Sequence, residues 1–235
     1  MDNLFITKLM DWAPTVSRKA RFTNRVLSLL GLSARLVDPM GTGRMSNVEQ
    51  RMNLFHLCSQ VLAYKVPGQI VELGSYTGST SILLSKIVQQ MDPDREIHLY
   101  DAWVREDFLK RLIQNFDNAT LPRPHLYRGW IQETVAAHLP DQICFAHIDL
   151  GSRISPDQTS LIEYALDQVY PRMSPGAICV IQEYSDEVLT PLGKQHHRPG
   201  LKAGVKKFLA DKPENIAPLY AGNFRVYAHG YFRKL

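Results

Sequence analysis

Residues 70–81, IVELGSYTGSTS, continue without a break into ILLSKIVQQ at 82–90. Ile70, Val71 and Leu73 read as a short buried strand. Gly74 and Gly78 supply a tight turn, and Ser79 or Thr80 can start a helix whose apolar positions Ile82, Leu83, Ile87 and Val88 recur near the helical period. A strand, a glycine turn and a helix in that order set backbone N–H groups and the positive end of a helix beside one pocket, which suits a nucleotide-like ligand. The spacing E-x-G-x-x-x-G differs from the dinucleotide pattern G-x-G-x-x-G. Glu72, at the end of the strand, can accept hydrogen bonds from an amino group, which a pyrophosphate does not offer. The ammonium, sulfonium and carboxylate of S-adenosylmethionine fit this turn better, with the bend at Ser75, Tyr76 and Thr77 receiving the methionine end.

The elements on either side extend this unit into an α/β chain. Asn47–Tyr64 reads as a helix with Leu54, Leu57, Cys58, Val61 and Leu62 on one face, ended by Val66-Pro67-Gly68. Arg95–Tyr100 reads as a second strand with Asp101 just past its end, where an acidic side chain can hold both hydroxyls of a ribose; the same residue could instead cap the helix Glu106–Phe116. His125–Tyr127 is a third strand, followed by Trp130, placed to pack on an adenine or to fill a core edge. Ile143–Ile148 is a fourth, ending at Asp149. Asp157–Tyr170 is helical, Pro171–Gly176 a turn and Ala177–Ile181 a fifth strand ending at Gln182-Glu183. Leu201–Leu209 is a basic helix. Ile216–Tyr220 and Phe224–His229 read as a terminal hairpin that adds antiparallel strands. The expected fold is α/β, a doubly wound, mostly parallel sheet of the class I methyltransferase type, with a C-terminal antiparallel hairpin and an N-terminal helical cap.

Residues 1–46 are expected to form that cap. Leu4, Ile6, Leu9 and Met10, then Phe22, Val26, Leu29 and Leu30, recur at helical spacing around Pro14, and Val37–Ser46 (VDPMGTGRMS) is a candidate lid. Residues 47–235 form the cofactor-binding domain. Apolar helices ahead of the domain are compatible with a homo-oligomer. The chain of 235 residues suffices for one well-cored domain. A formal charge of +4, with no basic stripe or aromatic ladder, gives nucleic acid no specific footing. Cys58, Cys144 and Cys179 sit in apolar runs without a C-x-x-C partner, as buried thiols in a reducing compartment do. No run is long enough to span a membrane and the acidic start lacks a basic leader, so a cytoplasmic protein is expected, with no membrane partner.

The combination VPGQIVELGSYTGSTS, DAW, AHID and SPGAICVIQEYSDE resembles the macrocin-type O-methyltransferases over about residues 40–230, with GRMSNVEQRMNLFHL similar to their substrate-side segment and RGWIQETV to the one after the third strand. The resemblance implies S-adenosylmethionine as methyl donor, Mg²⁺ held by acidic residues after the fourth and fifth strands, and a small hydroxylated acceptor, sugar or glycosylated. It places Glu72, Gly74 and Gly78 in the cofactor turn, where the reading of the turn itself adds Ser75, Tyr76 and Ser79 as cofactor-binding residues, and it places Asp101 on the ribose and Asp149 on the metal side, with Gln182 and Glu183 where its acidic pair is expected. The chain departs from the pattern where LGSRISPDQTS follows Asp149, with Arg153 intruding, and where Gln182 is neutral. With a metal, Asp149, Gln182 and Glu183 would hold it against the substrate; without one, Asp149, Glu183, His147, His196 or His197 would be the general base. His196 and His197 lie in the long polar connection 184–200, which reads as a flap. Two other readings stay open: an S-adenosylmethionine-binding enzyme with altered chemistry, and a non-catalytic partner that keeps the fold.

Overall fold

A computed structural model describes residues 18–32, 48–150, 158–184, 199–219 and 229–235. Seven strands form one sheet in the order β3-β2-β1-β4-β5-β7-β6. The strands are β1 (Gln69–Leu73), β2 (Ile97–Asp101), β3 (His125–Arg128), β4 (Ile143–Ile148), β5 (Met173–Ile181), β6 (Ala217–Leu219) and β7 (His229–Arg233). The helices are α1 (Arg18–Leu29), α2 (Val48–Ala63), α3 (Ser79–Met91), α4 (Glu106–Asn118), α5 (Ile131–His138), α6 (Gln158–Val169) and α7 (Pro199–Leu209). β1 to β5 pair in parallel, while β7 runs antiparallel to both β5 and β6.

The central strands are apolar on both faces because helices cover both faces of a parallel sheet. Ile70, Val71 and Leu73 of β1 and Cys144, Phe145, Ala146 and Ile148 of β4 are fully buried. The helical stripes expected from the sequence fall inward: Leu54, Cys58 and Val61 on α2, Ile82, Leu83 and Ile87 on α3, and Ile162, Ala165, Leu166 and Val169 on α6 are all in the core. The three cysteines are buried and unpaired, and burial pushes their thiols up, that of Cys144 to about 11, so they stay protonated as core side chains. No helix among the described residues is long and apolar enough to cross a membrane.

Register fixes what meets at the carboxyl edge. Leu73 pairs with Tyr100 on one side and Ile148 on the other, Ile148 with Ile181, and Asp101 with Arg128. Gly74, Asp101, Asp149 and Gln182 therefore all leave the sheet at one level. The strand order reverses between β1 and β4, and that is where an open α/β sheet presents its crevice.

Three expectations need correction. Asp101 is the last residue of β2 and not the residue past it. β5 begins at Met173, inside the segment read as a turn, because the register against β4 shifts between Ile143 and Phe145 and the irregularity takes up Pro175 and Gly176. The last strand lies further along: β7 is HGYFR, inserted between β5 and β6, while Phe224 to Ala228 fall outside the described residues. On α1, Phe22, Leu29 and Leu30 are exposed among the described residues.

Candidate functional site

The turn after β1 is held by backbone geometry before any side chain acts. Gly74 has φ +91 and its N–H donates to the Tyr100 carbonyl at 2.8 Å, while the Asp149 N–H donates to the Leu73 carbonyl at 2.8 Å. A Cβ at Gly74 would fall well inside contact distance of the Asp149 carbonyl oxygen and 2.9 Å from its carbonyl carbon. Only glycine satisfies both the sign of φ and this approach. Gly78, at φ +84, closes the turn by donating to the Ser75 carbonyl, and α3 starts at Ser79. The N–H groups of the first helical turn have no acceptor one turn earlier and belong to the pocket side.

Asp101 locks the turn to β2. Its Oδ2 accepts from the Tyr76 N–H and its Oδ1 from the Trp103 N–H, both at 2.8 Å. Burial raises the Asp101 pKa, and the N–H donors of Trp103, Tyr76 and Ser75 oppose that rise. Tyr76 is a non-glycine residue at φ +45, a conformation that the surroundings must impose. The fully buried Trp103 donates its Nε1 proton to the Tyr76 carbonyl at 2.7 Å, Asn115 donates to the Thr77 carbonyl at 2.9 Å, and the Tyr76 ring packs on Phe108 with centroids 4.5 Å apart. Sequence reasoning missed Trp103 and Asn115 as supports of the turn. The only local sign was the bulky residue two places after Asp101.

Inside this clamped turn the Ser75 hydroxyl is buried and has no hydrogen-bond partner among the described residues. A buried hydroxyl left unpaired costs about 1–3 kcal/mol, so this one, which has no partner among the described residues, suits a polar group brought to the turn. Trp130, just beyond β3 and one strand out from Asp101, leaves its ring 58% exposed on the same edge. These features fit a nucleoside with a polar amino-acid tail.

Glu72 does something else. It is buried: its Oε1 meets His147 Nδ1 at 2.9 Å and its Oε2 accepts from the Ser81 hydroxyl. Both oxygens are thus engaged within the chain, by Ser81 on α3 and His147 on β4, so the expected contact to a cofactor amine would use their remaining lone pairs. From His147 the network continues: its Nε2 lies 3.5 Å from Gln182 Oε1, which also takes a hydrogen bond from His229 Nε2. Burial alone would lower the His147 pKa, but the hydrogen bond and charge of Glu72, with the charge of Asp149 and the Gln182 contact, raise it above its ordinary value. His229 is pushed the other way, down to about 3, by burial and by the charge on His147. The two histidines that meet at the Gln182 carbonyl are thus pushed in opposite directions, His147 toward its charged form and His229 toward its neutral one.

This decides the fit of a metal. Mg²⁺ asks for near-octahedral oxygen ligands and depends on carboxylate charge. Gln182 is buried with its only carbonyl-type oxygen committed to two histidines, so it is not a ligand beside Asp149. Asp149 and Glu183, the latter at φ +57, stand just past β4 and β5. The three-residue set assigned to Mg²⁺ does not fit that ion. His147 is withdrawn from the list of bases because both its ring nitrogens face buried partners. His196, His197, Ser152 and Arg153 lie outside the described residues.

No protein-family model matches the chain, and no curated protein matches it. Solved structures do. The O-methyltransferase NovP aligns with a TM-score of 0.61 at 18% identity over 80% of each chain. CalS11, a TDP-rhamnose 3'-O-methyltransferase of calicheamicin biosynthesis, aligns at 0.61 and 20% identity over 93% of this chain and 96% of its own. TomG from Streptomyces achromogenes, an O-methyltransferase of tomaymycin synthesis, aligns in its complex with S-adenosylmethionine at 0.58 and 15% identity over 94% and 91%. The chain has the class I Rossmann-like methyltransferase fold, with a mixed parallel and antiparallel sheet.

Proposed function

We propose that this chain is an S-adenosylmethionine-dependent O-methyltransferase acting on a hydroxyl of a sugar or a small oxygenated natural product. The observation that carries the reading is the Gly74–Gly78 turn, clamped by Asp101 and Trp103 at the reversal of strand order, with a Ser75 hydroxyl inside it that has no partner among the described residues. Likeness to O-methyltransferases of TDP-rhamnose and of tomaymycin synthesis, together with motifs that resemble the macrocin type, supports the choice of donor and acceptor. Three buried free thiols support a reducing, cytoplasmic setting.

When bound, S-adenosylmethionine supplies a methyl group on a positively charged sulfur. The chain's task is to place the acceptor oxygen in line with that methyl, take up the hydroxyl proton and keep water out. The Ser75–Thr77 backbone and the start of α3 seat the amino-acid end. Asp101, whose oxygens keep acceptor capacity beyond the two N–H groups they already bind, receives the ribose hydroxyls. Trp130 covers the adenine. Asp149, fixed through its backbone to β1, faces the crevice edge as the first candidate for the base, with Glu183 as the second.

Two substitutions test this. Asp101→Asn is expected to weaken S-adenosylmethionine binding about tenfold, the worth of one charge-assisted hydrogen bond, with little change in turnover at saturation. Calorimetric titration reads it, and an unchanged Kd would move the ribose elsewhere. Asp149→Asn is expected to cut kcat at least a hundredfold while the cofactor Kd moves less than threefold, measured by mass spectrometry of a hydroxylated acceptor. Equal losses in both would assign Asp149 to the cofactor's ammonium instead. If neither S-adenosylmethionine nor S-adenosylhomocysteine binds at millimolar concentration, the reading falls and the chain is a non-catalytic bearer of the fold.

A further inference from the structure

At the opposite edge of the sheet, where β2 and β3 begin, Glu96, His98 and His125 come together. We infer that these three side chains form a site for a borderline divalent transition ion of the Zn²⁺ class, separate from the cofactor crevice. The placement follows from register. His98 and His125 are direct partners on neighbouring parallel strands, and Glu96 precedes His98 by two residues, so pleating sends all three to one face.

The distances match what such an ion requires. One ligand atom from each residue lies within 4.8 Å of the others, the one such group of three found among the described residues. Glu96 Oε2 is 3.3 Å from His98 Nε2, and Glu96 Oε1 is 3.8 Å from His125 Nε2. Zinc–nitrogen bonds of about 2.0–2.1 Å in a tetrahedral shell separate neighbouring ligand atoms by about 3.3 Å. Two nitrogens and one carboxylate suit Zn²⁺ and its neighbours, whereas Mg²⁺ prefers an all-oxygen shell.

The surroundings add an orienting partner and an opening. His98 is buried and its Nδ1 lies 3.2 Å from the Tyr127 hydroxyl, the kind of contact that fixes a ligating imidazole with Nε2 facing the ion. Tyr127 is itself stacked between Tyr100 and His138, with ring centroids 4.6 and 5.1 Å away, so this partner is held by packing. Glu96 and His125 are each about half exposed. The His125 ring now stacks on His98 at 4.7 Å, and its exposure lets it turn so that both Nε2 lone pairs converge, leaving the fourth position to water. Bound there, the ion would tie edge strand β3 to β2.

The test uses the full chain stripped of metal and titrated with Zn²⁺ against a chromophoric chelator, with Co²⁺ absorption as a second probe. One equivalent is expected to bind, and a tetrahedral Co²⁺ spectrum to appear. A hundredfold excess over Kd is expected to raise Tm by about 5 °C. H125A and E96Q, whose side chains are half exposed and leave the core untouched, should each lose at least tenfold in affinity and most of that shift, while excess Mg²⁺ should not compete. The inference is overturned if the wild-type chain binds no Zn²⁺ at micromolar concentration. It is equally overturned if H125A and E96Q bind as before, or if a His196→Ala/His197→Ala chain loses the equivalent that they keep. Asp149→Asn leaves this binding intact if the two sites are separate.

Discussion

Gly74→Ala is expected to lower the thermal midpoint by about 10 °C and to abolish S-adenosylmethionine binding in whatever fraction still folds. Two costs add at this position. A side chain at φ +91 is strained by about 1 kcal/mol or more. The added Cβ also lands on the Asp149 carbonyl, which is backbone and can yield only by dragging the end of β4 away from β1. That displacement breaks the hydrogen bond from Asp149 N–H to the Leu73 carbonyl and moves the candidate base. A total of about 3–5 kcal/mol is expected, toward the severe end for one substitution. The geometry puts the damage between two strands. Gly78→Ala is the control. It shares the positive φ, but its Cβ would meet the Leu112 side chain at 3.1 Å, which can shift, so its loss should be clearly smaller. Thermal and urea unfolding of both variants decide the matter, and equal losses would mean that φ strain alone governs the turn.

What could be read without the structure was what depends on neighbours in sequence. The apolar run 70–73, the two glycines and the periodic helix after them specify β1, the turn and α3 within twenty residues. Asp101 and Asp149 were legible for a similar reason: an acid at the end of an apolar strand of a parallel sheet stands at the crevice whatever its partners. The partners of Glu72 were not legible, because they are His147, 75 residues away, and Ser81 across the layer. Gln182 likewise looked like a weakened metal ligand until His229 arrived from the last strand. The terminal antiparallel hairpin was legible, but the bounds of its last strand were not, because HGYFR gains its place by inserting between β5 and β6, a long-range pairing that local pattern does not announce. The His98–His125 pair is a matter of register, which is fixed only once β2 and β3 are aligned.

Glu72→Gln is expected to cost about 3–5 kcal/mol near pH 6, because it leaves the His147 imidazolium buried without its counter-ion. The pH dependence separates this from a simple packing defect. The His147 pKa is raised in the folded chain, so the pair stabilises fully below the unfolded value of about 6.5, and its contribution fades as pH climbs through the higher folded value. Urea unfolding from pH 6 to 9 should therefore show the gap between wild type and Glu72→Gln narrowing toward the alkaline end. His147→Gln should lose a comparable amount at pH 6, and the double variant should lose less than the sum, since removing both partners leaves no uncompensated charge. A gap that stays constant across this range, with additive losses, would mean that the histidine is neutral in the fold. The row from Glu72 through His147 and Gln182 to His229 would then be a chain of neutral hydrogen bonds, and the reason for assigning Gln182 to that row instead of to a metal would rest on geometry alone.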